Sequence, residues 1–481
     1  MNSKMIRYIV SHVLELEAGF LFLPFICSLF FREDLLVAFS YLMTIMLILG
    51  CSYFLSKGFP ENQKMYTKEG MMIVSLSWIA LSFFGALPFV ISGRIPSLVD
   101  AFFEVVAGFT TTGTSVVPNI ELMEKSLLFW KGLTHFIGGL GMLVLVLAIL
   151  PKVNSRATYI MKAEVPGPVV GKMVAKTAYN FKILYLIYIL IAVVIMFLLI
   201  LGGMPFFDAV IHAFGVASTG GVNIKSSSVG FYNSAYVDIV LGIGMVLCSI
   251  NFNLFYYFFY KGDKKTLKNE ELRFYLGILA VSIIAIGINL YPFYDSFGHL
   301  FRDVFFTVSS FASSTGYTTV NFNTWTTFSK IILMILAFVG GCSGSTAGGL
   351  KVSRIIIILK KIGAELKKLG TSNRTIIIKL NGKKVSDELL HKINIYLTAY
   401  AFIFIFLLLA VSLESPSFIS AFTVATAIIN NIGIDMGTVS SFSDYSSFSM
   451  VNKIILSFGM LAGRLEIFPV LILFSPSIYK K

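Results

Sequence analysis

Ser313-Ser314-Thr315-Gly316-Tyr317-Thr318-Thr319 is the stretch whose reading decides the fold. It follows a short apolar segment, Phe305 to Phe311, that cannot cross a bilayer, and it precedes one that can. Hydroxyl residues running into a glycine at the end of a short hydrophobic element suit a loop whose backbone carbonyls face a cation. Glycine reaches backbone angles that aim its carbonyl where a residue with a Cβ could not. Channel filters use such carbonyls to replace the water shell of an ion. One such stretch is weak, because a polar turn between helices has the same composition. Its weight comes from relatives elsewhere in the chain.

Those relatives appear from Met71 onward as a repeated order. A span ends at a loop, a short apolar element follows, then a glycine-bearing polar stretch, then another span. The first unit runs from Asp100-Ala101-Phe102-Phe103 into Thr110-Thr111-Thr112-Gly113-Thr114-Ser115. The second runs from Phe207-Asp208-Ala209-Val210 into Ala217-Ser218-Thr219-Gly220-Gly221-Val222-Asn223. The third runs from Arg302-Asp303-Val304-Phe305 into the opening stretch. The fourth runs from Ile419-Ser420-Ala421-Phe422 into Asn430-Asn431-Ile432-Gly433-Ile434-Asp435. Taking Gly113, Gly220, Gly316 and Gly433 as equivalent gives a period of roughly a hundred residues, an internal repeat that decides a fold. The candidate ion-facing residues are Thr111, Thr112 and Gly113, Ser218, Thr219 and Gly220, Ser314, Thr315 and Gly316, and Asn431, Ile432 and Gly433.

Composition supplies the solvent. Of 481 residues, 56% are hydrophobic and 13% charged, too apolar for a chain surrounded by water. Runs of about 20 apolar residues cross the hydrocarbon core. Ten begin near Tyr8, Leu35, Met71, Ser126, Ala178, Ala235, Phe274, Phe328, Ile393 and Val451. Glu15 and Glu17 interrupt the first, and no small-residue cleavage site follows, so it reads as a span rather than a cleaved signal peptide. The net charge of +13 gathers in alternate loops: Lys57 to Lys68, Lys152 to Lys176, Lys261 to Arg273 and Lys351 to Lys392, with both ends of the chain. The positive-inside rule makes these cytoplasmic and puts the glycine-bearing stretches on the outer side. A basic face toward anionic lipid explains the charge without nucleic acid. Cys27, Cys51, Cys248 and Cys342 have no metal-ligand spacing and read as buried thiols.

The expected architecture is an all-α polytopic membrane protein. An N-terminal two-helix hairpin is followed by four helix–pore-loop–helix repeats around a pseudo-four-fold pore, with ten transmembrane helices and four re-entrant pore helices. The divisions are residues 1–57 (peripheral hairpin), 70–151, 177–261, 272–361 and 391–481 (repeats), and 362–390 (basic loop). Irregular backbone at membrane depth is tolerated where it is buried in protein or lines an aqueous cavity, and four instances point to the cavity. Asp100, Asp208, Asp303 and Ser420 read as N-caps of the short helices.

Two features break the repeat. In the third unit, Val339-Gly340-Gly341-Cys342-Ser343-Gly344-Ser345-Thr346-Ala347-Gly348-Gly349-Leu350 interrupts the second span. Each glycine costs about 1 kcal/mol against alanine in a helix, and a packing seam needs a small residue only every fourth position. A non-helical loop under the pore is expected there, with Gly340, Gly341, Gly344, Ser345, Thr346, Gly348 and Gly349 forming a gate. In the fourth unit, Arg464 stands in mid-span, where an arginine costs at least ~2.5–3.5 kcal/mol and is functional or paired. Arg464 is expected to belong to the gate, facing the pore interior and either bonding the glycine loop or placing a positive barrier in the path. Gly138-Gly139-Leu140-Gly141 reads as a packing seam.

This combination resembles the Trk/Ktr/HKT superfamily of potassium transporters, over essentially the whole chain. The extra hairpin is similar to the TrkH/TrkG branch. The resemblance implies potassium uptake, a homodimer with one pore per subunit, and a separate cytoplasmic regulatory ring, TrkA-like, that binds nucleotide or NAD. It implies that potassium is the transported ion and that no organic cofactor is bound on this chain. Gly113 at the first filter, rather than serine, implies potassium over sodium. The fourth filter departs from the pattern, with Asn431 and Ile432 before Gly433. The expected location is the bacterial inner (plasma) membrane, both termini cytoplasmic.

Two other classes stay in view. A proton- or sodium-coupled potassium symporter would need an ionisable relay, for which His135, His212 and Asp208 are the candidates. Such folds often carry inverted repeats, whereas these keep one orientation. An enzyme would need clustered acids, metal ligands or a nucleophile with its base, and the sequence holds none.

Overall fold

Two long apolar helices, α1 (Ser3–Phe30) and α2 (Leu35–Ser56), form a hairpin. In this computed structural model the described residues are 2–57, 66–141, 178–370, 377–434 and 445–476. Several expectations therefore fall wholly or partly outside them: most of the basic loop from Lys57 to Lys68, the basic stretch from Lys152 to Lys176, the end of the first repeat and the start of the second, part of the 362–390 loop, Asp435 of the fourth pore stretch, and the last lysines. Asp34 starts α2 by accepting from the Leu36 N–H at 3.2 Å. Its neighbour Glu33 accepts from the N–H of Ser126 at 3.0 Å and from that residue's hydroxyl. The hairpin is thus more than a bystander, because its turn supplies the cap for a helix of the first repeat.

The four units then follow with one order. Unit 1 is α3 (Thr67–Ile91), α4 (Leu98–Phe109) and α5 (Lys125–Leu140). Unit 2 is α6 (Ala178–Leu201), α7 (Phe206–Ala217) and α8 (Ala235–Cys248), continued by the short α9 (Phe252–Phe255). Unit 3 is α10 (Glu270–Leu290), α11 (Phe297–Ala312) and α12 (Thr327–Val339), then the glycine loop and α13 (Val352–Gly370). A two-stranded hairpin, β1 (Lys379–Leu380) with β2 (Lys383–Lys384), precedes unit 4. Unit 4 is α14 (Asp387–Ser412), α15 (Phe418–Ile429), α16 (Met450–Arg464) and α17 (Phe468–Ile472). Phe30, Phe54, Phe197, Ile288 and Phe402 are all more than half exposed on the long helices, as residues facing lipid are.

Six described helices are long and apolar enough to cross a membrane, and α8 with its continuation makes a seventh. The runs from Ser126, Phe328 and Val451 begin as α5, α12 and α16 and are broken within the run; residues past Gly141 in the first lie outside the described ones. The second helix of every unit has such a break: α5, α8, α12 and α16 have 16, 14, 13 and 15 residues before it, short of the roughly 20 that an unbroken crossing uses. The sequence marks such a break plainly only in unit 3. In unit 2 the chain bends by 94° between Cys248 and Phe252. There Ser249 bonds back to the Met245 carbonyl at 2.8 Å, and Asn251 caps the next turn through the Asn253 N–H at 2.9 Å. In unit 4, Glu466 and Ile467 take left-handed backbone angles (φ 57° and 69°) and stop the helix just after Arg464. In unit 1, Gly141 ends α5 with φ 90°.

The units are also tied between their loops. The Ser226 N–H of unit 2 donates to Glu121 of unit 1 at 3.0 Å, and this bond holds the Glu121 carboxyl below the usual range. The tie is present at neutral pH and is lost as pH falls through that lowered value.

Candidate functional site

The site is built where the four short helices end. Thr111, Thr219, Ser314 and Asn431 follow the last helical turns and all lie in the left-handed region, with φ of 56°, 53°, 57° and 53°. Their N–H groups donate to Gly108, Val216, Phe311 and Ile428 at 2.9–3.3 Å. The next N–H groups, of Thr112, Gly220, Thr315 and Ile432, reach back five residues to Ala107, Gly215, Ser310 and Ala427 at 2.8–3.0 Å. That bond pair is the Schellman helix stop, whose left-handed residue is usually glycine. Threonine or serine there is strained, by about 1–3 kcal/mol each, and persists only where the surroundings over-determine it. Four such stops in one chain turn the backbone sharply at the partially negative ends of four helices.

The backbone corrects one register. The residue after each of those amides is Gly113 (φ 85°), Gly221 (φ 62°), Gly316 (φ 84°) and Gly433. Gly221, not Gly220, therefore matches Gly113 and Gly316. Gly220 matches Thr112, Thr315 and Ile432. Two adjacent glycines gave the sequence no means of choosing between them.

These glycines bring the loops together backbone to backbone. A Cβ on Gly113 would strike the Gly220 carbonyl and lie 3.6 Å from Gly433 Cα. One on Gly221 would strike the Thr315 carbonyl, and one on Gly316 would sit 3.0 Å from the Gly433 nitrogen. One on Gly433 would sit 2.8 Å from the Thr112 carbonyl oxygen. The contacts run from unit 1 to 2, 2 to 3, 3 to 4 and 4 to 1, so the ring closes. It is not uniform. Hydroxyls pair as Thr110 with Thr112 (2.7 Å) and Ser313 with Thr315 (2.6 Å), whereas Gly220 and Ile432 offer none at that place. Asn431 instead donates to the Thr112 hydroxyl and the Met460 carbonyl, both at 2.9 Å.

Side chains that the sequence reading missed hold the loops. Glu104 of α4 is buried and pairs with buried Lys131 of α5. It accepts from the Ser115 hydroxyl at 3.0 and 3.1 Å and from the Val116 N–H at 2.9 Å, fixing the strand beyond Gly113. Removing one partner of a buried pair costs about 3–5 kcal/mol, because the other charge stays behind. Lys131→Met is expected to lower thermal stability by that order, and adding Glu104→Gln to recover most of it. Additive losses in the double-mutant cycle would contradict the coupling. In units 2 and 3, Tyr317 donates to the Val222 carbonyl at 3.0 Å, and Ser228 bridges Asn223 (2.7 Å) and the Thr318 N–H (3.2 Å).

Asp100, Asp208 and Asp303 are not the caps expected of them. Ser97 caps α4 through the Asp100 N–H at 3.3 Å, and Ser417 caps α15 through the Ser420 N–H at 3.2 Å. The aspartates lie inside the helices, which begin earlier than their hydrophobic patterns suggest. Asp100 pairs with Lys453 at 2.7 Å, while Asp208 and Asp303 accept from Tyr232 (2.7 Å) and Tyr294 (3.0 Å). His135 is buried against Gly220, and among the described residues neither ring nitrogen has a hydrogen-bond partner. His212 stacks on Tyr317 and bonds the Asp208 carbonyl at 2.8 Å. The described residues therefore hold no hydrogen-bonded chain joining the two histidines.

The glycine loop lies against the underside of this ring. Its neck is closed by three backbone bonds of 3.0 Å: Leu350 to Phe338, Lys351 to Val339 and Val352 to Gly341. Gly340 (φ 67°) and Gly349 (φ 79°) face each other there so closely that a Cβ on Gly349 would sit 2.7 Å from Gly340 Cα. The Gly348 N–H donates to the Ser314 hydroxyl at 2.5 Å, and a Cβ on Gly348 would strike the Asn430 carbonyl. Thr346 donates to the carbonyls of Ala217 (3.1 Å) and Cys248 (3.2 Å). Gly344, with φ 74°, accepts from the Phe252 N–H at 3.1 Å, and Ser345 bonds Cys342 at 2.6 Å within the loop. Gly341 approaches the Ser249 carbonyl of the unit 2 break. Arg464, buried, donates to the Thr346 carbonyl at 2.9 Å, to Gly138 at 2.7 Å and to Gly139. It joins carbonyls in the last turn of α5 in unit 1 to a glycine-loop carbonyl of unit 3, while its neighbour Glu466 pairs with Arg354. Gly138 and Gly139 form a close seam against Phe109 and Ser218 as well as ending their helix.

Among the described residues no cluster of three or more His, Cys, Asp or Glu could hold a metal ion. The ring instead offers backbone carbonyls and hydroxyls, ligands suited to a hard cation that is bound and released. Fold and site define a class: membrane proteins with four pore-loop units in one chain. The family model for TrkH, a cation transport protein, matches residues 38–286 and 296–480. The Trk system potassium uptake protein TrkH of Salmonella typhimurium is 33% identical over the full length of both chains. The Trk system potassium uptake protein TrkG of Escherichia coli is 31% identical, covering 94% of this chain and 93% of its own. The crystal structure of the potassium transporter TrkH from Vibrio parahaemolyticus superposes with a TM-score of 0.89 at 28% identity, covering all of both chains. The chain belongs to the TrkH family of cation transport proteins.

Proposed function

We propose that this chain takes up potassium across the bacterial inner membrane through a selectivity filter gated by an intramembrane loop. The observation that carries the reading is the closed ring of four left-handed helix stops, three of them strained, with a tethered loop bonded to its underside. Relatives named as potassium uptake proteins of Trk systems support potassium as the ion. In this reading the filter comprises Thr111–Gly113, Ser218–Gly221, Ser314–Gly316 and Asn431–Gly433. The gate comprises Gly340, Gly341, Gly344, Ser345, Thr346, Gly348 and Gly349, latched by Arg464. The hairpin and four repeats keep the limits given by the sequence, the basic loops and both termini are cytoplasmic, and the filter faces outward. Two chains form a homodimer with separate pores. A TrkA-like subunit, regulated by nucleotide or NAD, docks on the basic surface after the gate; no organic cofactor sits on this chain.

Potassium flux into liposomes containing the purified chain, with sodium and a proton gradient as variables, tests this. Flux that follows the potassium gradient and ignores pH is expected, rising when the regulatory subunit is added. Flux that requires an inward proton gradient would replace the channel-like reading with the symporter.

A further inference from the structure

Glu271, the second residue of α10, is 6% exposed and far in sequence from the glycine loop, yet it closes both ends of it. One carboxylate oxygen accepts from the Ser343 N–H at 2.6 Å and from the Ser353 N–H at 3.1 Å. Ser343 lies at the loop's entry and Ser353 in the first turn of α13, and their hydroxyls bond each other. Bonds from an ionised acceptor are roughly twice as strong as neutral ones, and the N-terminal turn of a helix carries free N–H groups and positive potential. The next residue back faces the other way. Glu270 pairs with Lys360 of α13, and its N–H donates to Asn381, in the β1–β2 turn, at 2.7 Å. One helix end therefore joins the loop's neck to the basic segment that follows it.

We infer that Glu271 is the positioning residue that clasps the glycine loop shut, so that displacing the start of α10 releases it. The inference rests on the reading of that loop as the gate. Breaking the clasp shifts the loop toward its open state without touching the filter.

The test compares full-length variants in liposomes. Glu271→Ala is expected to raise basal potassium flux by about tenfold, within what release of a minor open state provides, with the potassium-to-sodium ratio unchanged. A second measurement separates the clasp from general loosening. In a background lacking Cys342, S343C and S353C are added to Glu271→Ala; oxidation is expected to return flux toward the wild-type level and reduction to raise it again. Where Glu271→Ala does not fold, Glu271→Gln carries the same cysteine pair. Raised flux that oxidation leaves unchanged overturns the clasp. So does wild-type flux in Glu271→Ala while removal of residues 344–349 raises it, an outcome that spares the gate. Wild-type flux in both variants removes the gate and the clasp together.

Discussion

Gly113→Ser is expected to lower the preference for potassium over sodium by roughly five- to a hundredfold, read as the ratio of fluxes in liposomes. Two costs set that scale. Gly113 has φ 85°, where a residue with a Cβ is strained by about 1–3 kcal/mol. The new Cβ would also strike the Gly220 carbonyl across the unit 1–unit 2 contact. The ring answers by moving carbonyls, and about 1.4 kcal/mol of lost differential binding is tenfold in selectivity. Gly93 provides the control. It also has positive φ, at 72°, but a Cβ there meets nothing within 4 Å, so Gly93→Ser should leave the ratio unchanged. An unchanged ratio in Gly113→Ser would remove Gly113 from the filter.

Removal of residues 344–349 is expected to raise basal flux between about tenfold and a thousandfold, the range set by an open state that is ~0.1–10% populated before the change. The deletion takes away the bonds from Thr346 to Ala217 and Cys248, from Gly348 to Ser314, and from Arg464 to Thr346. It spares Gly340, Gly341 and the backbone bonds of Leu350 to Phe338 and Lys351 to Val339, so α12 and α13 keep their joint. Wild-type flux from a deletion variant that elutes and melts like the parent would show that the loop does not obstruct the path.

Spans, repeats and the glycine loop were legible because each is written in local composition. An apolar run, a hydroxyl-glycine cluster or five glycines within ten positions each have few alternatives in lipid. What was hidden depends on partners distant in sequence. Glu104 finds Lys131, Asp100 finds Lys453 and Glu271 finds Ser343, and no local pattern announces such pairs. The breaks after Cys248 and Arg464 were masked by hydrophobicity that continues past them, the first needing only Ser249 and Asn251 to turn the chain. The register of the second filter failed for a different reason. Gly220 and Gly221 are equally permissive, and only the hydrogen bond from Gly220 back to Gly215 shows which one follows the helix stop. The aspartates were misread because α4, α7 and α11 start at Leu98, Phe206 and Phe297, ahead of the acids.

Whether four unlike loops make one selective path is tested most directly in the variant lacking residues 344–349, where the proposed gate no longer conceals the filter. Its potassium and sodium fluxes should be measured in liposomes of the purified chain, with and without Gly113→Ser. Strong potassium preference is expected in the deletion variant, and its loss in the combined one. Equal sodium and potassium flux in the deletion variant alone would contradict it, leaving the ring of glycines as packing and selectivity to be sought elsewhere in the chain.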